Sequence, residues 1–449
     1  MKYYESYKES RLDWVDKIPS KWSLLKIGRT FNNIGSGTTP KSTNHKFYEN
    51  GTINWLNTGD LNDSYINSTS KKITLNALET NSTLKIHPSD SIVIALYGAT
   101  IGKLGHLKIK TTTNQACCVL SNAEKVEQRF LFYYFLAARE FIISKSYGGG
   151  QPNISQDLIK QLYIPSPSIL EQIQITTYLD YKTSLIDALI EKKELLIQKL
   201  KEQRQAIINE SVTKGLNPNT PLKDSGIAWL GEIPEHWEVV KFRYKFETNK
   251  GLTITKDNLQ DKGVPCVNYG EIHSKYGFEV NPEIHNLKYV SEEYLETNES
   301  SLLSKGDFVF ADTSEDIKGS GNFTHLNSDI PTFAGYHTII ARLIDKSDYR
   351  FFAYFFDSSI YRTQIQNLVK GVKVYSITNK ILKDSNLLCP PLEEQRTISE
   401  YLDIKIGKLF ISIEKLVKSI QKLKSYRQSI ISEAVTGKID VRDWQAKKL

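Results

Sequence analysis

The sequence predicts a mixed α/β (α+β) protein: two globular bodies joined by two long antiparallel coiled-coil helices, related by a pseudo-two-fold internal repeat. Three observations predict it. The segment KLKEQRQAIINESVTKG at 199–215 returns as KLKSYRQSIISEAVTGK at 422–438. The first copy closes a stretch, 169–214, that holds no Gly and no Pro. Between the repeated ends lie two dissimilar middles, cut into short β-rich runs by Gly, Asn, Asp and Ser clusters. Self-similarity at a fixed spacing marks a duplicated architecture.

Each half opens on W-x3-IP-x2-W. Trp14, Ile18, Pro19 and Trp22 pair with Trp229, Ile233, Pro234 and Trp237, and Lys8 and Ser10 pair with Lys223 and Ser225. The middles keep only a faint echo. NTGD at 57–60 faces NYGE at 268–271, and SDSIVIA at 89–95 faces GDFVFA at 306–311, which pairs Asp90 with Asp307. Runs such as SIVIALYG, QACCVL, GDFVFA and GYHTIIARL have the β-branched, aromatic and turn-bounded character of strands. One aromatic helical patch follows in each half, at 129–147 and 349–369, and reads as core packing. Ile154 and Ile377 then precede EQ at 171–172 and 394–395 and YLD at 178–180 and 401–403, all at one offset. That offset exceeds the one at the opening motif, so the second middle is longer while its ends stay fixed.

The long helices carry an apolar seam. Ile186, Ile190, Ile197, Leu200 and Ile207 match Leu409, Ile413, Ile420, Leu423 and Ile430, and Leu416 fills the remaining gap in the second copy. The period is that of a coiled coil, and the opposite face is rich in Lys, Glu and Gln. Gly215 and Gly437 stop the two helices. A helix of about 45 residues is about 65 Å long and needs a partner along such a seam, which the other copy supplies. The expected organisation is therefore a first body at 1–165, a spacer helix at 166–215, a second body at 216–388, a second spacer helix at 389–437 and a tail at 438–449.

Composition narrows the function. With 40% hydrophobic and 24% charged residues in 449, the chain is long enough for two or three folded domains. Lys and Arg (58) exceed Asp and Glu (51), a mild positive balance compatible with a polyanion. Cys117, Cys118, Cys266 and Cys389 have no metal-ligand spacing and read as buried thiols in a reducing compartment. The N-terminal MKYYESYKES lacks the apolar centre of a signal peptide, and IVIALY at 92–97 is far short of a span of about 20 residues. The expectation is a cytoplasmic protein with no membrane partner.

Catalytic motifs are missing. YGATIGKLG at 97–105 has too few residues between Gly98 and Lys103 for a phosphate loop, and Leu104 stands where Ser or Thr would hold magnesium. Asp307 with Asp316-Ile317-Lys318 resembles a nuclease cluster only in the second half; the first has no carboxylate near Ala99. No HExxH, GxSxG, Asn-Pro-Pro-aromatic or dinucleotide fingerprint occurs. No catalytic residue, metal ligand or cofactor is assigned to this chain.

Polar loops remain, and amides, hydroxyls and lysines are the groups that read base edges and hold phosphates. GSGTTPKSTNHKFY, TTTNQA and SYGGGQPN in the first half, and TNKGLTITK and VKGVKVYSITNK in the second, carry them. The DNA-contact candidates in the first body are Lys41, Lys46, Asn57, Tyr97, Lys103, Asn114, Gln115, Gln151 and Asn153. In the second they are Lys250, Asn268, Tyr269, Lys318, His337, Lys370, Lys373 and Tyr375. Two other readings stand beside double-stranded DNA recognition within a larger complex: a stand-alone bipartite DNA-binding scaffold, and a nuclease with an unrecognised site.

Over nearly its whole length the chain resembles the specificity subunit of type I restriction–modification systems. The carriers are the two W-x3-IP-x2-W motifs, the EQ…YLD segments, and the RQxII…AVTGK-type helix ends at 204–215 and 427–438. SGTTPKS, YGATIGKLG, TNQACC and QPNIS are similar to the family's first target-recognition domain, whereas SVTKG at 211–215 departs from the usual AVTGK. The resemblance implies two target-recognition domains on two antiparallel conserved helices. It implies two methyltransferase subunits that bind S-adenosylmethionine, with or without two restriction subunits that use ATP and Mg. It also implies adenine methylation at a bipartite DNA site, with that chemistry on the partners. The repeated helix would then serve as spacer and docking surface, duplicated because two identical partners dock.

Overall fold

The computed structural model describes residues 2–148, 152–227, 229–369 and 374–446. It divides into two compact units, one formed by Met1–Lys193 with Val417–Leu449 and the other by Glu194–Leu416. Both long helices, Ile169–Lys214 and Leu392–Val435, are shared between the units. Each unit thus holds the start of one long helix and the end of the other, as an antiparallel pair requires.

In the first unit a five-stranded sheet runs in the order Phe31–Gly35, Cys117–Ala123, Ile92–Ala95, Leu104–Leu107, Ser64–Ile66. Its pairs are antiparallel except the last. The second unit repeats the order with Phe246–Lys250, Thr338–Leu343, Phe308–Ala311, Phe323–Leu326 and Phe278–Val280, again with a parallel edge pair. All four residues of Ile92–Ala95 and of Phe308–Ala311 are buried, because both faces of each sheet are covered. In the second unit Phe308 and Phe310 pack on one side with Phe352 and Phe356, while Val309 and Ala311 face Val267 and Ile272 on the other. A smaller sheet lies at each head: Thr112–Thr113, Ile53–Leu56 and Lys71–Ile73 in the first unit. In the second it is Lys288–Val290, Val264–Val267, Thr332–Ala334 and an additional Leu302–Leu303.

The opening motif becomes a hairpin in both units. Lys8 faces Ile18 across Tyr7–Leu12 and Val15–Pro19, as Lys223 faces Ile233 across Leu222–Asp224 and Glu232–Pro234. A further strand, Ser23–Lys26 or Glu238–Lys241, pairs with the strand that leads into the long helix, Tyr163–Ser166 or Asn386–Cys389.

The first aromatic patch is one helix, Gln128–Ser144, and the second is two, Tyr349–Asp357 and Ser359–Leu368. Ser358 makes the break by accepting from the Tyr361 amide, the N-cap role that favours Ser. The Asp90–Asp307 pairing shifts by one residue. Leu107 N donates to Ser91 O as Leu326 N donates to Asp307 O, so Ser91 is the counterpart of Asp307. Asp90 instead takes the left-handed turn position (φ 65°) that Gly306 (φ 90°) fills in the second unit. Asp307 hydrogen-bonds Arg342 Nε at 2.9 Å, a structural pair.

Along the long helices Ile186, Ile190, Ile420 and Ile430 are buried, and Ile197, Leu200, Ile207, Leu409, Ile413, Leu416 and Leu423 are half-buried. In the first unit Arg427 grips Asp187 through both guanidinium nitrogens, at 2.8 and 3.1 Å. In the second, Ile208 and Val212 share a cluster with Ile398 and Leu402.

Candidate nucleic-acid interface

The repeated residues build a clamp at the start of each long helix. Trp22 Nε1 donates to Glu171 at 3.1 Å, and Trp237 Nε1 donates to Glu394 at 3.1 Å. Gln172 accepts from the Glu127 amide (2.8 Å) and Gln395 from the Asp348 amide (2.9 Å), tying each long helix to the N-terminus of its aromatic helix. Tyr133 OH donates to Asp180 at 2.6 Å and Tyr354 OH to Asp403 at 2.6 Å. Arg129 and Arg350 complete the set on the same two carboxylates. Burial would weaken Arg350's hold on its proton, but hydrogen bonds to Asp403 and Glu279 outweigh it and keep the guanidinium charged. The Arg-x3-Tyr of 129–133 and of 350–354 lies inside the aromatic patches, where its recurrence near the common offset was the available signal.

On this frame sits a polar head. In the first unit a strap, 36–41, is pinned at four places. Gly37 N donates to Thr113 Oγ1 (3.0 Å), Trp55 Nε1 to Thr38 O (3.2 Å) and Tyr48 OH to Pro40 O (2.5 Å). Thr39 OH donates to Gln115 Oε1 at 2.7 Å. Asn114 Nδ2 reaches Asn57 Oδ1 at 3.4 Å, and Asn57 caps the turn Thr58–Asp60. Tyr97 bridges to Asn153, and the Leu96 amide donates to Ala116 O (2.8 Å), joining that bridge to the rest. Asn57 and Asn114 thus touch, Gln115 is held by the strap that Lys41 closes, and the backbone at Tyr97 and Asn153 adjoins this turn. Lys46 stands apart on His45–Phe47, and Lys103 precedes Leu104–Leu107 beside the Arg139–Asp63 pair. Gln151 lies outside the described residues.

The second head keeps the flanking backbone hydrogen bonds and carries other side chains. Gly335 N donates to Val267 O (2.8 Å) as Asn114 N does to Leu56 O (3.0 Å), and Asp312 N donates to His337 O as Leu96 N does to Ala116 O. Gly335, Tyr336 and His337 therefore replace Asn114, Gln115 and Ala116. Tyr269, Tyr336 and His337 form a ring cluster with centroids 5.3–5.9 Å apart. Exposed His337 adopts φ 56° and leans its Nδ1 on Asp312 at 3.3 Å. Asn268 was expected to face DNA but is only 3% exposed and spends its amide on Glu271 (3.3 Å). It buttresses the turn that it caps. A Cβ at position 335 would lie 1.9 Å from its Oδ1, so Gly335 is needed there.

Lys318 lines a cleft of about 670 Å³ with Tyr269, His273, Asp316 and Asn322. Beneath it Asn322 Nδ2 meets His273 Nδ1 (2.7 Å), His273 Nε2 meets Thr313 O (2.8 Å), and Arg362 donates to Lys318 O (2.8 Å) and to Asn322. Tyr375–Ser376 pairs with Thr313–Ser314 at the same head. Lys250 ends the strand Phe246–Lys250, its carbonyl accepting from Ser301. Lys370 and Lys373 lie outside the described residues. Thr39, Asp312, Tyr336, His273, Asn322 and Arg362 were not singled out from sequence, since only the tertiary fold brings them to the heads.

All four thiols are buried, and burial pushes those of Cys118 and Cys389 up to about 12. Among the described residues no cluster of His, Cys, Asp and Glu could hold a metal, and no helix is long and apolar enough to cross a membrane.

Two unlike polar heads on a duplicated clamp describe a two-headed recognition protein. A family model described as "Type I restriction modification DNA specificity domain" matches residues 19–199 and 234–425. The chain belongs to this family, that of the specificity subunits of type I restriction–modification systems. Its relatives include the type I restriction enzyme MjaVIII specificity subunit of Methanocaldococcus jannaschii, 25% identical over 440 residues and covering 95% of both chains. Another is the EcoKI specificity subunit of Escherichia coli K12, 23% identical over 455 residues, covering 96% of this chain and 92% of that one. Two solved structures share the fold. One comes from work on complex assembly and conformational transition of the type I R-M system, with TM-score 0.72, 17% identity, and coverage of 94% and 99%. The other is the HsdS subunit of Thermoanaerobacter tengcongensis, with TM-score 0.51, 16% identity, and coverage of 94% and 98%. As a specificity subunit the chain is the non-catalytic member of its complex and works with DNA and with modification and restriction subunits.

Proposed function

We propose that each unit reads one half of a bipartite site in double-stranded DNA, that the long helices set the gap between the half-sites, and that they dock two methyltransferase subunits. Restriction subunits join in the form that cleaves. S-adenosylmethionine, ATP and Mg belong to those partners, which carry out adenine methylation and cleavage in the cytoplasm. The domain bounds 1–165 and 216–388 mark the two readers, 166–215 and 389–437 the spacer, and 438–449 the tail. The observation that carries this reading is the pair of heads: one backbone scaffold, used twice, presents amides in one unit and aromatic rings with a His–Asp pair in the other. A scaffold kept while its tips change suits two readers of different sequences.

The test has two arms. Replacing residues 23–150 by the matching part of a relative should change one methylated half-site and leave the other half and the gap alone, as read by methylation-sensitive sequencing. Inserting one heptad in both long helices should keep both half-sites and widen the gap by about 10 Å, about three base pairs. A swap that alters both halves, or a folded heptad variant with its original gap, overturns the corresponding role.

A further inference from the structure

We propose that Gln115 reads an adenine within the half-site bound by the first unit, its Oε1 accepting from adenine N6 and its Nε2 donating to N7 in the major groove. This rests on the DNA-reading role proposed above and adds the residue and the base. Three observations carry it.

First, Gln115 is exposed at the tip of a rigid turn, an unusual combination for a long polar side chain. Its neighbours are fixed on both sides. Thr113 is buried before it, Ala116 is buried after it, and Asn114 locks the turn by accepting from the Ala116 amide at 3.2 Å. A long side chain loses rotamer freedom when it binds, and fixing it beforehand removes part of that cost.

Second, the amide itself is held. Thr39 OH donates to Oε1 at 2.7 Å, which leaves one Oε1 lone pair and both Nε2 hydrogens available. One acceptor beside one donor, in plane, is the pattern that complements the N6–H and N7 of adenine. Thr39 is itself fixed, because the strap is pressed against the neighbouring strand. A Cβ at position 37 would lie 1.8 Å from Thr113 O, so only glycine brings the strap this close.

Third, the second unit keeps the position and changes the chemistry. Tyr336 occupies the place of Gln115 in the same backbone ladder, packed edge-on to Tyr269 at 5.5 Å. Between the same flanking ladder bonds, the tip carries an amide in one unit and a phenol in the other. Lys41, exposed at the end of the strap, is placed to hold a phosphate beside the reading amide.

The test uses the full chain in complex with its methyltransferase subunits. Methylation rates are measured on duplexes in which each base pair of the recognised site is replaced in turn. Gln115→Ala and Gln115→Met should lower discrimination at one A·T pair by about five- to 150-fold, in the half-site that the 23–150 swap moves, and leave the other positions unchanged. Gln115→Met keeps the side chain's length without its amide and separates reading from packing. Thr39→Val should weaken discrimination at the same pair by a smaller factor. Unchanged discrimination at every position overturns the proposal. So does a loss at a G·C pair, or an equal loss on all duplexes. If the swap itself leaves the site unchanged, the DNA-reading role fails. If the swap moves a half-site and the Gln115 variants do not, only this inference fails.

Discussion

The two clamps and the two heads obey different rules. Glu171 and Glu394 each hold a buried tryptophan indole at 3.1 Å, and Asp180 and Asp403 each hold a tyrosine hydroxyl at 2.6 Å. The heads share backbone hydrogen bonds and almost no side chains. Where the chain must make the same joint twice, the same side chains recur. Where it must meet two different surfaces, only the ladder recurs. Backbone bonds fix where a loop points without fixing what it carries.

The largest effect should come from breaking the joints. Trp22→Ala and Trp237→Ala each empty a fully buried site and strip a glutamate of a partner, so each should cost about 3–5 kcal/mol in denaturant unfolding. The two losses should be alike. A marked inequality would mean that one clamp is ornamental and the symmetry shallow. Trp→Phe sharpens the comparison by removing the hydrogen bond while keeping much of the ring. Glu171 would retain the Tyr4 hydroxyl (2.7 Å) and Glu394 would retain His236 (2.7 Å). Each loss should then fall to about 1.5–3 kcal/mol.

The helix-end glycines should behave less equally. Both Gly215 and Gly437 take φ 75°, which costs an L side chain about 1–2 kcal/mol. A Cβ at 215 would meet one carboxylate oxygen of Glu394 at 2.9 Å and the Trp237 ring at 3.3 Å, whereas at 437 it would meet the ring of Pro19 at 2.4 Å and Trp22 at 3.0 Å. Gly215→Ala should therefore cost about 1–2 kcal/mol and Gly437→Ala about 3 kcal/mol, since the second adds overpacking against a fixed ring. Equal costs would show that the first unit yields where its geometry says it cannot.

These positions also show what the sequence discloses. The opening motif, the EQ and YLD segments and the glycine stops were legible, because each makes a specific joint twice and leaves a matched residue pair. The uninterrupted stretch at 169–214 is the helix Ile169–Lys214 itself. The heads were less legible. Asp90 aligns by letter with Asp307, yet it fills the left-handed position of Gly306, because Asp tolerates that conformation and most residues do not. Asn268 looks like a polar loop residue but is buried by the turn it caps. Thr39 and Gln115 meet through a strap whose path depends on a strand far along the chain, and no local pattern announces that contact.

The smallest effect should come from moving the chain ends. The second unit passes continuously from the end of the first long helix, through Gly215, into its hairpin Leu222–Asp224 and Glu232–Pro234. The first unit has the same parts, brought together from the two end regions of the sequence. Asp440 N donates to Lys2 O at 2.8 Å, Lys2 pairs with Asp443, and the hairpin Tyr7–Leu12 and Val15–Pro19 follows the end of the second long helix without a covalent link. The break is thus compatible with the joint, and the packed hairpin and Trp22 hold it closed. If that is so in one unit, it should hold in the other. A chain opened near residue 217, where Asn217–Thr220 forms an exposed turn, and joined from its present end to its present start should fold and keep its half-sites and gap. Its stability should change by less than about 1 kcal/mol, because the packed joints survive and only the covalent link moves. Methylation mapping and denaturant unfolding of the permuted chain, with a linker long enough to span the ends, check both parts. A permuted chain that fails to fold would show that covalent continuity at Gly215, and not the clamp around Trp237, holds the second unit together.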